Sequence, residues 1–174
     1  MLPIPKHLKD IMVTIGDKNS ENCVNGIIRC PCGCECFKIK IYANVENGYP
    51  QACEYKDNYA LMIKSKCMNC IKEFLIFDDS KHGWNGFVCH DGVTAPDNEL
   101  KPWGCLKCTG DIHSVKICIM SQGKQDFIEE VGIVNEESEF SENDWVEAFE
   151  WITIGLTCFG CGYGDKKWID YETM

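Results

Sequence analysis

Four short segments of this sequence gather cysteines at spacings suited to metal ligation. They are Cys30-Pro31-Cys32-Gly33-Cys34-Glu35-Cys36, Cys67-Met68-Asn69-Cys70, Cys105-Leu106-Lys107-Cys108 and Cys158-Phe159-Gly160-Cys161-Gly162. Two thiolates with two residues between them in a tight turn both reach one ion about 2.3 Å away, while neighbouring backbone N–H groups donate to the sulfurs. Two such turns complete one tetrahedral shell, so the four segments provide for two shells. One pair alone would serve equally as a redox dithiol; three pairs and a denser fourth cluster point to metal. A closed shell of four thiolates leaves no position for water, so the expected role is architectural rather than catalytic.

The rest of the composition agrees. Fourteen cysteines in 174 residues mean either a disulfide framework or metal ligation, and the compartment decides between them. The opening MLPIPKHLKDIM has no basic segment, apolar stretch and small-residue cleavage site in succession, and no apolar run approaches the roughly 20 residues that cross a bilayer. A cytoplasmic location without membrane contact is expected, and with it free thiols. The formal charge of −10 opposes nucleic-acid binding, as does the presence of Arg29 as the single arginine among 17 basic residues.

The elements that must position these cysteines show as two similar runs of turn, alternating strand, spacer, apolar strand, turn and strand. In the first, Phe37, Ile39 and Ile41 alternate with Lys38 and Lys40, Ala60 to Ile63 enters the second turn, and Glu73 to Asp78 leaves it. In the second, Val115, Ile117 and Ile119 alternate with Lys116 and Cys118, Ile152, Ile154 and Leu156 enter the last turn, and Lys167 to Asp170 leaves it. Period-two alternation predicts half-buried antiparallel strands. Each run has only some 60 to 70 residues, a size at which an apolar core supplies a few kcal/mol, whereas structural zinc contributes on the order of 10 kcal/mol.

On these residues the sequence resembles the zinc ribbon family, in which two knuckles at the ends of β-hairpins clasp one zinc ion, and its tandem layout is similar to uncharacterised bacterial double-ribbon proteins. The resemblance implies a mainly β chain of two small antiparallel zinc-ribbon modules packed in tandem. The expected division is an N-terminal segment 1–22, ribbon 1 at 23–80, a connector 81–102, and ribbon 2 at 103–174 with an acidic insert at 121–150. It also implies two Zn²⁺ per chain, one on Cys30, Cys32, Cys67 and Cys70 and one on Cys105, Cys108, Cys158 and Cys161. In RCPCGCECF the knuckle comparison favours Cys30 with Cys32, because Gly33 follows where such a turn often needs a positive φ; Cys32 with Cys34 and Cys34 with Cys36 remain open.

Cys23, Cys53, Cys89 and Cys118 stand alone, and as isolated thiols read as small buried hydrophobes. The connector Asp78 to Asp91 collects His82, Cys89, His90 and three carboxylates, enough for a third metal site or a Cys–His nucleophile, although Gly83, Asn85 and Gly86 are ordinary turn residues. Trp84, Phe87 and Val88 would pack the two ribbons together, and His7 and His113 are assigned to the surface. The insert holds ten acids against Lys124, and Ser141-Glu142-Asn143-Asp144 reads as a capping box for a short helix over Trp145 to Phe149. The expected function is a non-enzymatic interaction module whose acidic face meets a basic protein partner. The alternative is a rubredoxin-like electron carrier, since Cys158 to Asp165 resembles a rubredoxin iron knuckle and four thiolates accept iron as well as zinc.

Overall fold

In the computed structural model the described residues are 1–16, 19–132 and 139–174. Ile133, Val134, Glu136 and Glu137 of the acidic insert lie outside them. The chain is mainly β and antiparallel. Its strands are β1 (Met12–Thr14), β2 (Cys23–Ile28), β3 (Phe37–Tyr42), β4 (Asn44–Glu46), β5 (Tyr49–Gln51), β6 (Cys53–Tyr55), β7 (Asn58–Ala60), β8 (Met62–Cys67), β9 (Glu73–Asp78), β10 (Lys101–Pro102), β11 (Ile112–Met120), β12 (Trp151–Cys158) and β13 (Gly164–Glu172). Two strand pairs, β4–β5 and β6–β7, form small hairpins of their own, and the remaining strands make one sheet.

Strand β11 organises that sheet. One of its edges pairs with β12 from His113 to Met120. The other is shared: Lys116 to Met120 pair with β2, and Ile112 and His113 pair with the start of β3. The first cysteine run, β3–β8–β9, therefore continues through β11 into the second, β11–β12–β13. The two runs expected as modules in tandem share a sheet, and they also share a core. One cluster joins Phe37, Ile39, Ile63 and Phe77 of the first run to Val115, Ile117, Ile154 and Trp168 of the second. Leu2 and Leu8 of the N-terminal segment enter the same cluster with no exposed surface. The physical reason is alternation: β3 buries Phe37, Ile39 and Ile41, and β11 buries every second residue from His113 to Ile119. Side chains of period two on neighbouring strands face one side and need a single apolar partner surface.

The insert folds differently from its sequence reading. Its α-helix, α1, spans Lys124–Glu130, with Phe127 turned inward. Over the expected helix there is one 3-10 turn, Asp144–Val146. The capping residues do close it, because the Asp144 carboxylate accepts from both the backbone N–H and the hydroxyl of Ser141 at 2.8 Å. The turn stops there because Phe149 is drawn into the core and its carbonyl accepts from Trp84 N–H and from the Thr173 hydroxyl. The connector aromatics meet this insert: Trp84 lies edge-on to Phe127, and Phe87 lies tilted against Phe140. No helix among the described residues is long and apolar enough to cross a membrane.

Candidate metal centres

Each cysteine pair sits in a turn closed by two backbone bonds, and the same two bonds recur in all four. At Cys67 the N–H donates to Lys72 O and the carbonyl accepts from Ile71 N; at Cys105 the partners are Gly110 and Thr109; at Cys158 they are Tyr163 and Gly162. At Cys30 they are Cys34 and Gly33, each one position nearer because this turn has one residue fewer between its cysteines. The residue after the second cysteine is left-handed in every turn: Gly33 at φ 88°, Ile71 at 63°, Thr109 at 61° and Gly162 at 71°. Glycine adopts this conformation freely, whereas the β-branched Ile71 and Thr109 hold it at a cost of about 1–3 kcal/mol each.

These turns meet in pairs. Cys30, Cys32, Cys67 and Cys70 form one group and Cys105, Cys108, Cys158 and Cys161 another, with all sulfurs in each group within 4.8 Å of one another. The pattern of close contacts repeats: the first cysteine of one turn faces the second of the other. Cys30 and Cys70 are 3.4 Å apart, and Cys32–Cys67, Cys105–Cys161 and Cys108–Cys158 are each 3.6 Å apart. A tetrahedral ion with 2.3 Å bonds to sulfur has an edge of about 3.8 Å, close to these separations. In both groups the first cysteine of each turn is buried and the second exposed. Donors surround the sulfurs: Asn69 N–H reaches Cys67, the Asn69 side chain reaches Cys32, and Lys107 N–H reaches Cys105. Cys34 and Cys36 lie outside the quartet, where Cys36 N–H donates to Cys34 Sγ and Cys36 O braces the second turn through Met68 N–H.

The thiols of each group differ in how readily they ionise. Burial first, and contacts with Cys70 among others, push the Cys30 thiol up to about 12, while donation from Asn69 and from Cys34 N–H draws Cys32 down to about 6. Burial opposes ionisation of Cys105, yet N–H donation from Lys107 and Cys108 brings it down to about 7. Cys108 accepts from Gly110 N–H, but its contacts with Cys161 and Cys158 hold it up at about 12. Touching sulfurs share protons and cannot all ionise unless positive charge is placed between them. Either group of four cysteines could hold a metal ion.

A single row of paired residues links the two groups. Cys67 pairs with Phe37, Phe37 with His113, and His113 with Cys158, across β8, β3, β11 and β12. All four are at most 2% exposed. Three inter-strand steps of about 5 Å put the Cα atoms of Cys67 and Cys158 roughly 15 Å apart. His113 is therefore a core residue, not a surface one. The signal was available, since His113 is in phase with Val115, Ile117 and Ile119. Its burial, only partly offset by Asp111, lowers its basicity. Behind the second group a cavity of about 20 Å³, lined in part by His113, Asp165 and Trp168, is large enough for one water molecule.

The connector residues do not assemble. His82 Nδ1 accepts from Asp78 N–H, His90 Nε2 lies 3.3 Å from Glu139 Oε1, and Cys89 is exposed. Among the described residues the only groups of metal-ligating side chains are the two cysteine quartets. His7, expected at the surface, instead stacks on His82 with ring centroids 3.6 Å apart and planes at 10°. Comparison with family models, with curated proteins and with solved structures returns no match, so the reading of the two centres rests on this chain's own residues.

Proposed function

We propose that this is a non-enzymatic zinc protein in which two structural four-thiolate sites, on Cys30, Cys32, Cys67 and Cys70 and on Cys105, Cys108, Cys158 and Cys161, fix a surface for a protein partner. The observation that carries the reading is the presence of two sulfur quartets of matching layout in one small β protein. Four thiolates suit zinc, fill its coordination and leave no bound water to activate, which is why the sites are taken as structural. Both quartets are built from turns of the kind that the zinc ribbon resemblance implies, and in this reading the ribbons are β3–β8–β9 and β11–β12–β13 of the shared sheet. A reducing, cytoplasmic setting keeps such thiols available.

The docking face in this reading is the acidic insert. Asp126, Glu129, Glu130, Glu139 and Glu142 are exposed there, and Lys124 and Lys6 supply limited local compensation through Glu142 and Asp144. A face of this charge favours a basic protein and opposes nucleic acid. The deciding experiment is elemental analysis of protein purified without added metal. Two zinc ions per chain are expected; one or none refutes the two-site reading, and iron in a red protein replaces it with the electron-carrier alternative.

A further inference from the structure

Four cysteines lie outside the quartets and the RCPCGCECF segment. Cys89 is exposed, and the Cys53 thiol points to Ala60 O within its own hairpin. Cys23 and Cys118 behave otherwise. They are 95 positions apart in sequence, yet their sulfurs are 3.6 Å apart. They occupy neighbouring antiparallel strands, where Met120 is directly opposite Cys23 and Asn25 opposite Cys118, so the two thiols are diagonal neighbours. Both are half-buried, on the side of β11 that faces away from Val115, Ile117 and Ile119. The Asn25 amide donates to Cys23 Sγ at 3.4 Å.

We propose that Cys23 and Cys118 are a redox-active dithiol that closes to a disulfide by exchange with a small-molecule disulfide of the glutathione class. No third ligand accompanies the pair, since the quartets are the only metal-ligating groups of three or more among the described residues. Two sulfurs alone do not make a tetrahedral zinc site. Two touching thiols that no further metal-ligating side chain joins among the described residues are instead placed for thiol–disulfide exchange. Closure brings the sulfurs from 3.6 Å to the bond length of about 2.05 Å. Cys23 is the first residue of β2, so the backbone shift that closure needs falls at the end of the β2–β11 pairing, on the bridge that joins Cys23 to Ser20.

The order of the two steps follows from the surroundings. Burial, then the contact with Cys23, pushes the Cys118 thiol up to about 12, so it is the poorer first nucleophile. The Cys23 sulfur, as thiolate, attacks one sulfur of oxidised glutathione. A Cys23–glutathione bond forms, the glutathione S–S bond breaks, and one glutathione thiolate leaves. The Cys118 thiol then gives its proton to solvent and attacks Cys23 Sγ, expelling the second glutathione. In all, two protein thiols lose two electrons and two protons, and one oxidised glutathione becomes two reduced ones. The product ties β2 to β11 and closes a loop that contains the whole first quartet together with Cys105 and Cys108.

The test uses the full-length zinc-loaded protein, exposed to oxidised glutathione without denaturant and then mapped by mass spectrometry, with metal content followed in the same sample. The expected result is loss of two hydrogens, a Cys23–Cys118 cross-linked peptide and full retention of metal. A Cys118→Ala variant, with metal content equal to wild type, should stop at a stable glutathione adduct on Cys23, and Cys23→Ala should leave Cys118 unmodified. Free Cys23 and Cys118 in protein already modified at Cys89 would overturn the proposal. So would release of metal before the cross-link forms, because the quartets would then be the more reactive thiols.

Discussion

At Gly162, the residue after the last cysteine, the backbone has φ 71° and an added Cβ meets no atom within 4 Å. A side chain there has room, so the cost of Gly162→Val is conformational rather than steric. A residue with a Cβ pays about 1–2 kcal/mol in the left-handed region, and a β-branched one such as valine about 2–3 kcal/mol. Removing glycine returns about 0.4–1 kcal/mol by restricting the unfolded chain. The net loss is about 1–2 kcal/mol. For a chain of this length that lowers the melting temperature by about 2–8 °C, and if it falls on the metal-bound form it weakens the second site by about 5–30-fold. Gly162→Asn, which tolerates the same conformation, should stay close to wild type. The matching experiment at the other centre is Ile71→Asn, at φ 63° and 66% exposed, which should raise the melting temperature by about 2–4 °C as strain is relieved. Melting of the zinc-loaded protein and competition with a chromophoric chelator measure both quantities. Equal losses from Val and Asn at position 162, or no loss from Val, would show that the turn does not demand a left-handed residue.

Phe37→Ala removes a fully buried ring between Cys67 and His113 and should cost about 3–5 kcal/mol while lowering chelator resistance at both centres; weakening of one alone would show that the paired row does not connect them. Cys161→Ser should release one metal and unfold its turn, whereas Cys89→Ser, at an exposed thiol, should change neither metal content nor melting. Burial, with charge from the neighbouring His82 and Lys81 respectively, lowers His7 to about 3 and His82 to about 4. Both lie below the unfolded value, so the stability they lend is present above pH 6.5 and is lost as pH falls toward 4. Burial raises Asp79 to about 6, which acts oppositely and favours the fold below that pH. Between pH 7 and 5 the two histidines outweigh the carboxyl by about 2–3 kcal/mol, so denaturant melts at constant metal content should show falling stability, reduced in His82→Phe. Changing the exposed Glu129, Glu139 and Glu142 to glutamine should leave melting nearly unchanged and slow association with a lysine-rich peptide at low salt; an unchanged, salt-independent rate would remove the docking role of the insert.

What the sequence determined by itself is local. Close spacings between cysteines set the turns, and Gly33 marks where the first of them must be left-handed; the same conformation at Ile71, Thr109 and Gly162 is shown by the structure. Period-two alternation placed β3 and β11 and the face each buries, because side-chain direction in a strand depends on the residue's own position and not on its partners. The tertiary structure decided everything that depends on which strand lies beside which. Hydrophobic alternation says that a face is buried but not against what, so two separate cores and one shared core write the same pattern. Only the pairing of β11 with both β2 and β3 merges the two runs into one sheet, aligns Phe37 and His113 between the quartets, and brings Cys23 against Cys118. His7 shows the same limit, since nothing near it in the chain announces the ring of His82 that it stacks on. The helix of the insert went to Lys124–Glu130 and not to the capped segment after it, because burial of Phe149 and the bonds from Trp84 and Thr173 outweighed the local capping signal.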